Sequence, residues 1–170
     1  MESLKKALDE LLQKNIIKKE SGERNFYNVI ILGPSGWGKS DTVEEWVEQN
    51  EIIKPYYWIT ECFQHSQKIK LSDESLFELY FVPDEINKMD QENTVLILDH
   101  FSITDKNARA HLLDLVKNKV VADPTAEDGK RVLDKLWFIV AIAYPDAHFG
   151  YDALSEDDLN AFDYVYRINC

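Results

Sequence analysis

Gly33-Pro34-Ser35-Gly36-Trp37-Gly38-Lys39-Ser40 sets glycine, lysine and a hydroxyl in the spacing GxxxxGKS. Glycines at that spacing let a backbone turn tightly and aim successive N–H groups into one concavity, where an anion rests against the N-terminus of the following helix. A lysine next to last brings a mobile point charge to the β and γ phosphates of a nucleotide. The serine after it offers a hydroxyl ligand to Mg²⁺. Asp41, next in the chain, completes the candidate nucleotide-contacting set from Gly33 to Asp41.

A second element suits the same chemistry. Val95-Leu96-Ile97-Leu98-Asp99 is an apolar run that ends in a carboxylate. In an open α/β sheet, ligands bind at the carboxyl ends of the strands, so Asp99 is expected to face the phosphates and to hold Mg²⁺ together with Ser40. His100 follows directly and is the candidate catalytic base, weighed against a hydrogen-bonded structural histidine. His65, His111 and His148 show no paired metal spacing, and Cys62 with His65 makes a lone CxxH without partners. Trp37 either stacks on a base or partner, or packs as a rim side chain. Trp46, Trp58 and Trp137 read as core or strand-surface residues.

These residues need strands and helices to place them. Leu4, Leu8, Leu11, Leu12 and Ile16 recur at helical spacing before Gly22, which predicts an amphipathic N-terminal helix over residues 1–22. Phe26 to Leu32 reads as a buried strand running into the glycine-rich segment, and Lys39 to about Gln49 as the helix after it. A second strand spans Tyr56 to Thr60, opened by Pro55. Ser72 is expected to cap a short helix carrying Leu76, Phe77 and Tyr80. Thr94 to Asp99 is the third strand, apolar at successive positions and so covered on both faces. Thr104 is expected to cap a helix to about Asn118. Residues 121–131 read as an exposed loop, with a hairpin between Val120 and Val132. Leu136 to Ala143 forms a fourth strand. Ser155 opens a capping box for a short helix whose first turn holds Glu156, Asp157 and Asp158, and Tyr164 to Ile168 ends the pattern as a fifth strand. Strands alternating with helices predict an α/β fold with a mainly parallel sheet.

Composition bounds the function. At 170 residues, 45% hydrophobic and 29% charged, the chain suits one globular domain. No stretch approaches the ~20 apolar residues of a membrane span, and residues 1–20 lack the apolar core of a secretory signal, so the expected address is cytoplasmic. The two cysteines, Cys62 and Cys170, lie far apart and are expected to be reduced thiols. The net charge of -12 repels nucleic acid at long range, so binding of nucleic acid by this domain alone is disfavoured.

Asp99 stands 60 positions after Lys39, which leaves room for another strand between the two motifs. With that spacing, and with Trp137 to Pro145, Gly150, Ala153 to Glu156 and Leu159 to Phe162, the stretch from Phe26 to Ile168 resembles the core of MoxR-type and related AAA+ P-loop ATPases. The resemblance implies a three-layer P-loop fold over residues 26–168, a five-stranded sheet of order 5-1-4-3-2, ATP or ADP with Mg²⁺, and homo- or hetero-oligomers with other AAA+ subunits. The chain departs from the family pattern at His100, where a glutamate is usual, at Tyr144, aligned with the small polar sensor-1 residue, and at Ala161, in place of the arginine finger. Arg109 and Arg131 are the nearest substitutes for that arginine. Over the residues to Cys170 the expectation is a core that lacks the family's helical lid. The expectation is an ATP-binding protein with weak or absent hydrolysis, a possible ATPase, that acts through nucleotide-dependent conformation or assembly. The alternatives are a small P-loop kinase and a non-enzymatic interaction module with a vestigial loop.

Overall fold

A computed structural model of the chain describes residues 2–59, 67–70, 77–80, 83–123, 125–147 and 150–168. In chain order its elements are α1 (Glu2–Glu20), β1 (Val29–Leu32), α2 (Lys39–Glu48), β2 (Lys54–Ile59), β3 (Gln67–Lys70), β4 (Phe77–Tyr80), α3 (Pro83–Met89), β5 (Thr94–Asp99), α4 (Lys106–Asn118), β6 (Val120–Ala122), β7 (Lys130–Val132), β8 (Phe138–Ala143), α5 (Glu156–Leu159) and β9 (Tyr164–Arg167).

β2, β5, β8, β1 and β9 lie side by side in that order, every neighbouring pair parallel. Alternate side chains of the three middle strands enter two cores. Val29 and Ile31 of β1, Val95 and Ile97 of β5, and Phe138, Val140 and Ile142 of β8 pack with Leu4, Leu8 and Leu12 of α1 and Val43 and Trp46 of α2. Their neighbours Ile30, Leu32, Leu96, Leu98, Ile139, Ala141 and Ala143 pack with Ile86 and Met89 of α3 and Leu112, Leu115 and Val116 of α4. Both faces of these strands are thus covered, which is why they read as unbroken apolar runs instead of alternating ones. The fold is α/β with a parallel five-stranded sheet.

The label order differs from the expected 5-1-4-3-2, because two antiparallel hairpins, β3 with β4 and β6 with β7, enter the chain-order count. The second hairpin is the one expected between Val120 and Val132. The first is a correction: Phe77 and Tyr80 belong to strand β4 and not to a short helix, while Ser72 and Leu76 of that expected helix lie outside the described residues. Strand ends shift as well, with β1 starting at Val29 and β8 at Phe138.

Local chemistry sets the helix ends. Gly22, at φ 78°, closes α1, its N–H donating to Lys19 O at 3.1 Å and the Glu23 N–H to Lys18 O at 2.9 Å, the paired bonds of a Schellman stop. Asp105, and not Thr104, caps α4: its carboxylate accepts from Ala108 N, while the Thr104 hydroxyl donates to Phe101 O. The Ser155 capping box on α5 is formed as expected. No helix among the described residues is long and apolar enough to cross a membrane.

Two buried asparagines tie the layers together. Asn15 holds the Tyr27 backbone through a reciprocal pair of hydrogen bonds, at 3.0 and 2.8 Å. Asn28, just before β1, donates from Nδ2 to Val116 O at 3.1 Å and accepts from Ile139 N at 2.8 Å, which joins β1, α4 and β8. Replacing Asn28 with leucine leaves both main-chain groups buried without a partner, at a cost of about 1–3 kcal/mol each. Urea unfolding of Asn28→Leu is therefore expected to show about 2–5 kcal/mol lost; a change below about 0.5 kcal/mol would remove these bonds from the account.

Candidate functional site

The glycine-rich segment leaves β1 at Gly33 and enters α2 at Lys39, so the sheet aims it and the helix terminates it. Gly33 is closely hemmed in: a Cβ there would come within 3.1 Å of Ile168 Cβ and 3.2 Å of Lys39 Cδ. Gly36 and Gly38 are required for a different reason, since their φ values of 78° and 74° lie in the left-handed region that side chains disfavour. Gly38 is the N-cap of α2 and supplies no side-chain hydrogen bond to it. The first N–H groups of a helix have no intrahelical acceptor, so this end of α2 is suited to an anion.

Three neighbouring strands deliver the rest from their carboxyl ends: β1 the loop, β5 Asp99 and His100, and β8 Ile142, Ala143 and Tyr144. Together with Ser35, Gly36, Gly38, Lys39, Ser40 and Asp41 these residues line a cleft of about 190 Å³. Gly33 and Pro34 lie beneath, their carbonyls accepting from Lys39 Nζ at 2.7 and 2.6 Å. Trp37 is not among the lining residues and is 45% exposed, so it stands outward from the loop.

Lys39 is buried. That burial pushes its ammonium below the usual lysine range, and the Asp99 carboxylate opposes the shift. The Tyr144 ring lies 5.0 Å from Lys39 Nζ and meets the His100 ring edge-on at 5.9 Å. Ser40 Oγ donates to Asp99 Oδ2 at 2.8 Å, and the His100 N–H donates to Asp99 Oδ1 at 2.8 Å. Asp99 is thus held by both oxygens. His100 takes the left-handed conformation at φ 57°, which places its ring on the cleft, with Nε2 4.0 Å from Asp99 Oδ1.

The candidate arginines are engaged elsewhere. Arg109 is buried and donates to Ser102 O at 2.9 Å, Asp152 O at 2.7 Å and Thr104 Oγ1 at 3.1 Å, which clamps the chain ahead of α5 onto the start of α4. Arg131 pairs with Asp90 at 2.9 Å. Ala161 faces a different cavity, shared with Asn28 and Lys119. Among the described residues, then, Lys39 is the cation that lines the cleft.

No group of three or more His, Cys, Asp and Glu side chains among the described residues is placed to hold a metal. A Mg²⁺ ion keeps several waters, takes phosphate oxygens and needs only one or two protein ligands. The paired oxygens of Ser40 and Asp99 are donors of that kind.

Comparison with protein-family models and with curated proteins returned no match for this chain.

Proposed function

We propose that the chain is an AAA+-like P-loop protein that binds ATP or ADP with Mg²⁺ in the cleft between Gly33 and Asp99, hydrolyses it weakly or not at all, and acts through nucleotide-dependent conformation or assembly with other subunits. One observation carries this reading: Lys39, the uncapped start of α2 and the Ser40–Asp99 oxygen pair all converge on one cleft at the carboxyl ends of parallel strands. The strand layout supports it too. Counted over the five members of the sheet alone, from the β9 edge, the order reads fifth, first, fourth, third, second.

In this reading the loop amides and Lys39 take the β and γ phosphates, and Ser40 and Asp99 hold Mg²⁺. Bound there, the ion would neutralise charge on the phosphate oxygens. Weak hydrolysis follows from His100 at the catalytic position: a neutral imidazole lacks the charge and reach of a carboxylate base. Arg109 and Arg131 are tied into structural contacts and no described arginine lines the cleft, which counts against the kinase alternative.

Thermal unfolding tests the reading. A ligand at about 100 times its dissociation constant stabilises the native state by ~2.7 kcal/mol, or about 5–10 °C in midpoint for a chain of this size. ATP and ADP with Mg²⁺ are expected to produce that rise. An unchanged midpoint with both would leave the loop as a structural turn.

A further inference from the structure

Asn28 stands just ahead of β1, whereas the glycine-rich loop follows it, so the two mark opposite ends of the sheet. Around Asn28 opens a cavity of about 360 Å³, larger than the cleft of about 190 Å³ at the loop. Lys18, Arg24, Lys117 and Lys119 line it, with Asp163 as the carboxylate among its lining residues. The chain as a whole carries 31 acidic against 19 basic residues, so four cations around one hollow run against its composition. Four cations elsewhere on the chain have carboxylate partners: Lys5 pairs with Glu45, Lys19 with Glu92, Lys88 with Glu85 and Arg131 with Asp90. Lys18, Arg24, Lys117 and Lys119 form no ion pair among the described residues.

Their polar contacts are to neutral oxygens. Lys119 Nζ donates to Leu136 O at 2.8 Å and Trp137 O at 3.2 Å, Lys18 Nζ to Asn25 O at 3.1 Å, and Arg24 Nη1 to Asp134 O at 3.1 Å. Asp163 turns Oδ2 to the Asn28 N–H at 2.8 Å and sets one negative charge against the four positive ones. We propose that this cavity is a binding site for a compact anion of two or more charges, of the phosphate or polycarboxylate class, gripped by Lys119 and Arg24 with Lys18 and Lys117 at the rim.

The electrostatics agree. Burial, and next the repulsion from Arg24, lower the Lys119 ammonium to about 8, against a smaller opposing pull from Asp134. An anion between the two cations relieves that repulsion. A concave site with a half-buried cation favours a small molecule over an acidic polypeptide, which would need an extended charged surface.

Calorimetry with inorganic pyrophosphate, and separately with citrate, tests the site. The protein carries Lys39→Ala, which weakens phosphate binding at the glycine-rich loop, and the heat assigned to this cavity is the part lost in the Arg24 and Lys119 variants, so the result stands apart from the nucleotide reading. One anion per chain is expected to bind, with affinity falling as salt rises. Each of Arg24→Gln and Lys119→Gln should weaken it about tenfold or more, as for loss of one charged hydrogen bond. Arg24 is exposed, so its substitution reports on binding even if the Lys119 variant folds poorly. Lys130→Gln, on β7, should change nothing. Absence of heat from both anions, unchanged affinity in Arg24→Gln, or binding of polyglutamate alone would each overturn the proposal.

Discussion

Lys39→Ala is expected to weaken binding of ATP with Mg²⁺ by about 10- to 150-fold, since a hydrogen bond to a charged group is worth about 1.5–3 kcal/mol. The effect should fall on binding and leave folding nearly untouched. Lys39 Nζ spends two protons on the Gly33 and Pro34 carbonyls in the protein by itself. Truncation loses those bonds and also removes the burial that pushes the ammonium below its usual range, and these two terms oppose each other. Lys39→Arg should not rescue, because a planar fork cannot replace a point charge in a pocket shaped around a lysine stem. Calorimetry gives the affinity and thermal unfolding the stability. Equal affinities for the wild type and Lys39→Ala would mean that phosphate is not read by this lysine, and the proposed function would fall with it.

Much of this site is legible in the sequence because its parts obey local rules. Gly36 and Gly38 stand where the backbone needs positive φ, Lys39 and Ser40 follow at once, and the loop is bracketed by an apolar run and a helical one. Asp99 is legible for a similar reason, as the first polar residue after a strand with both faces covered. The buried polar residues are not legible in this way. Asn15 sits on an amphipathic helix and Asn28 precedes an apolar run, and nothing local says that their amides bridge separate layers. Arg109 reads as a spare cation on α4, yet it is consumed by carbonyls more than forty positions away, such as Asp152 O.

The errors share a cause. Thr104 and Asp105 are both good caps by type, and the choice between them was made by Arg109 and Phe101, which occupy the Thr104 hydroxyl. Phe77 and Tyr80 fit a helical pattern over a short window, but β4 pairs with β3, whose sequence QKIK carries no alternating signal of its own. Pairing between strands is a non-local term, and local propensity cannot outweigh it. Where the sequence placed the elements well, each step depended on neighbours in the chain; where it failed, the deciding partner came from another element.

The second large effect concerns turnover. His100→Glu is expected to raise ATP hydrolysis by about 10²-fold or more, the lower end of what a positioned general base contributes. The position is right for it: residue 100 lines the cleft, beside Asp99, whose Oδ1 accepts the backbone N–H of residue 100 and whose Oδ2 is tied to Ser40. The backbone makes the change costly, because at φ 57° histidine and asparagine are tolerated better than glutamate, so a stability loss of about 1 kcal/mol should accompany the gain. His100→Asn keeps the left-handed tolerance without a base and should stay slow. If phosphate release, read in single-turnover assays with unchanged ATP affinity, rises in the glutamate variant and not in the asparagine one, then a missing carboxylate is what holds hydrolysis back. Brisk release by the wild type would instead show that His100 already suffices, and a glutamate variant that binds ATP normally but stays slow would place the defect at the absent arginine.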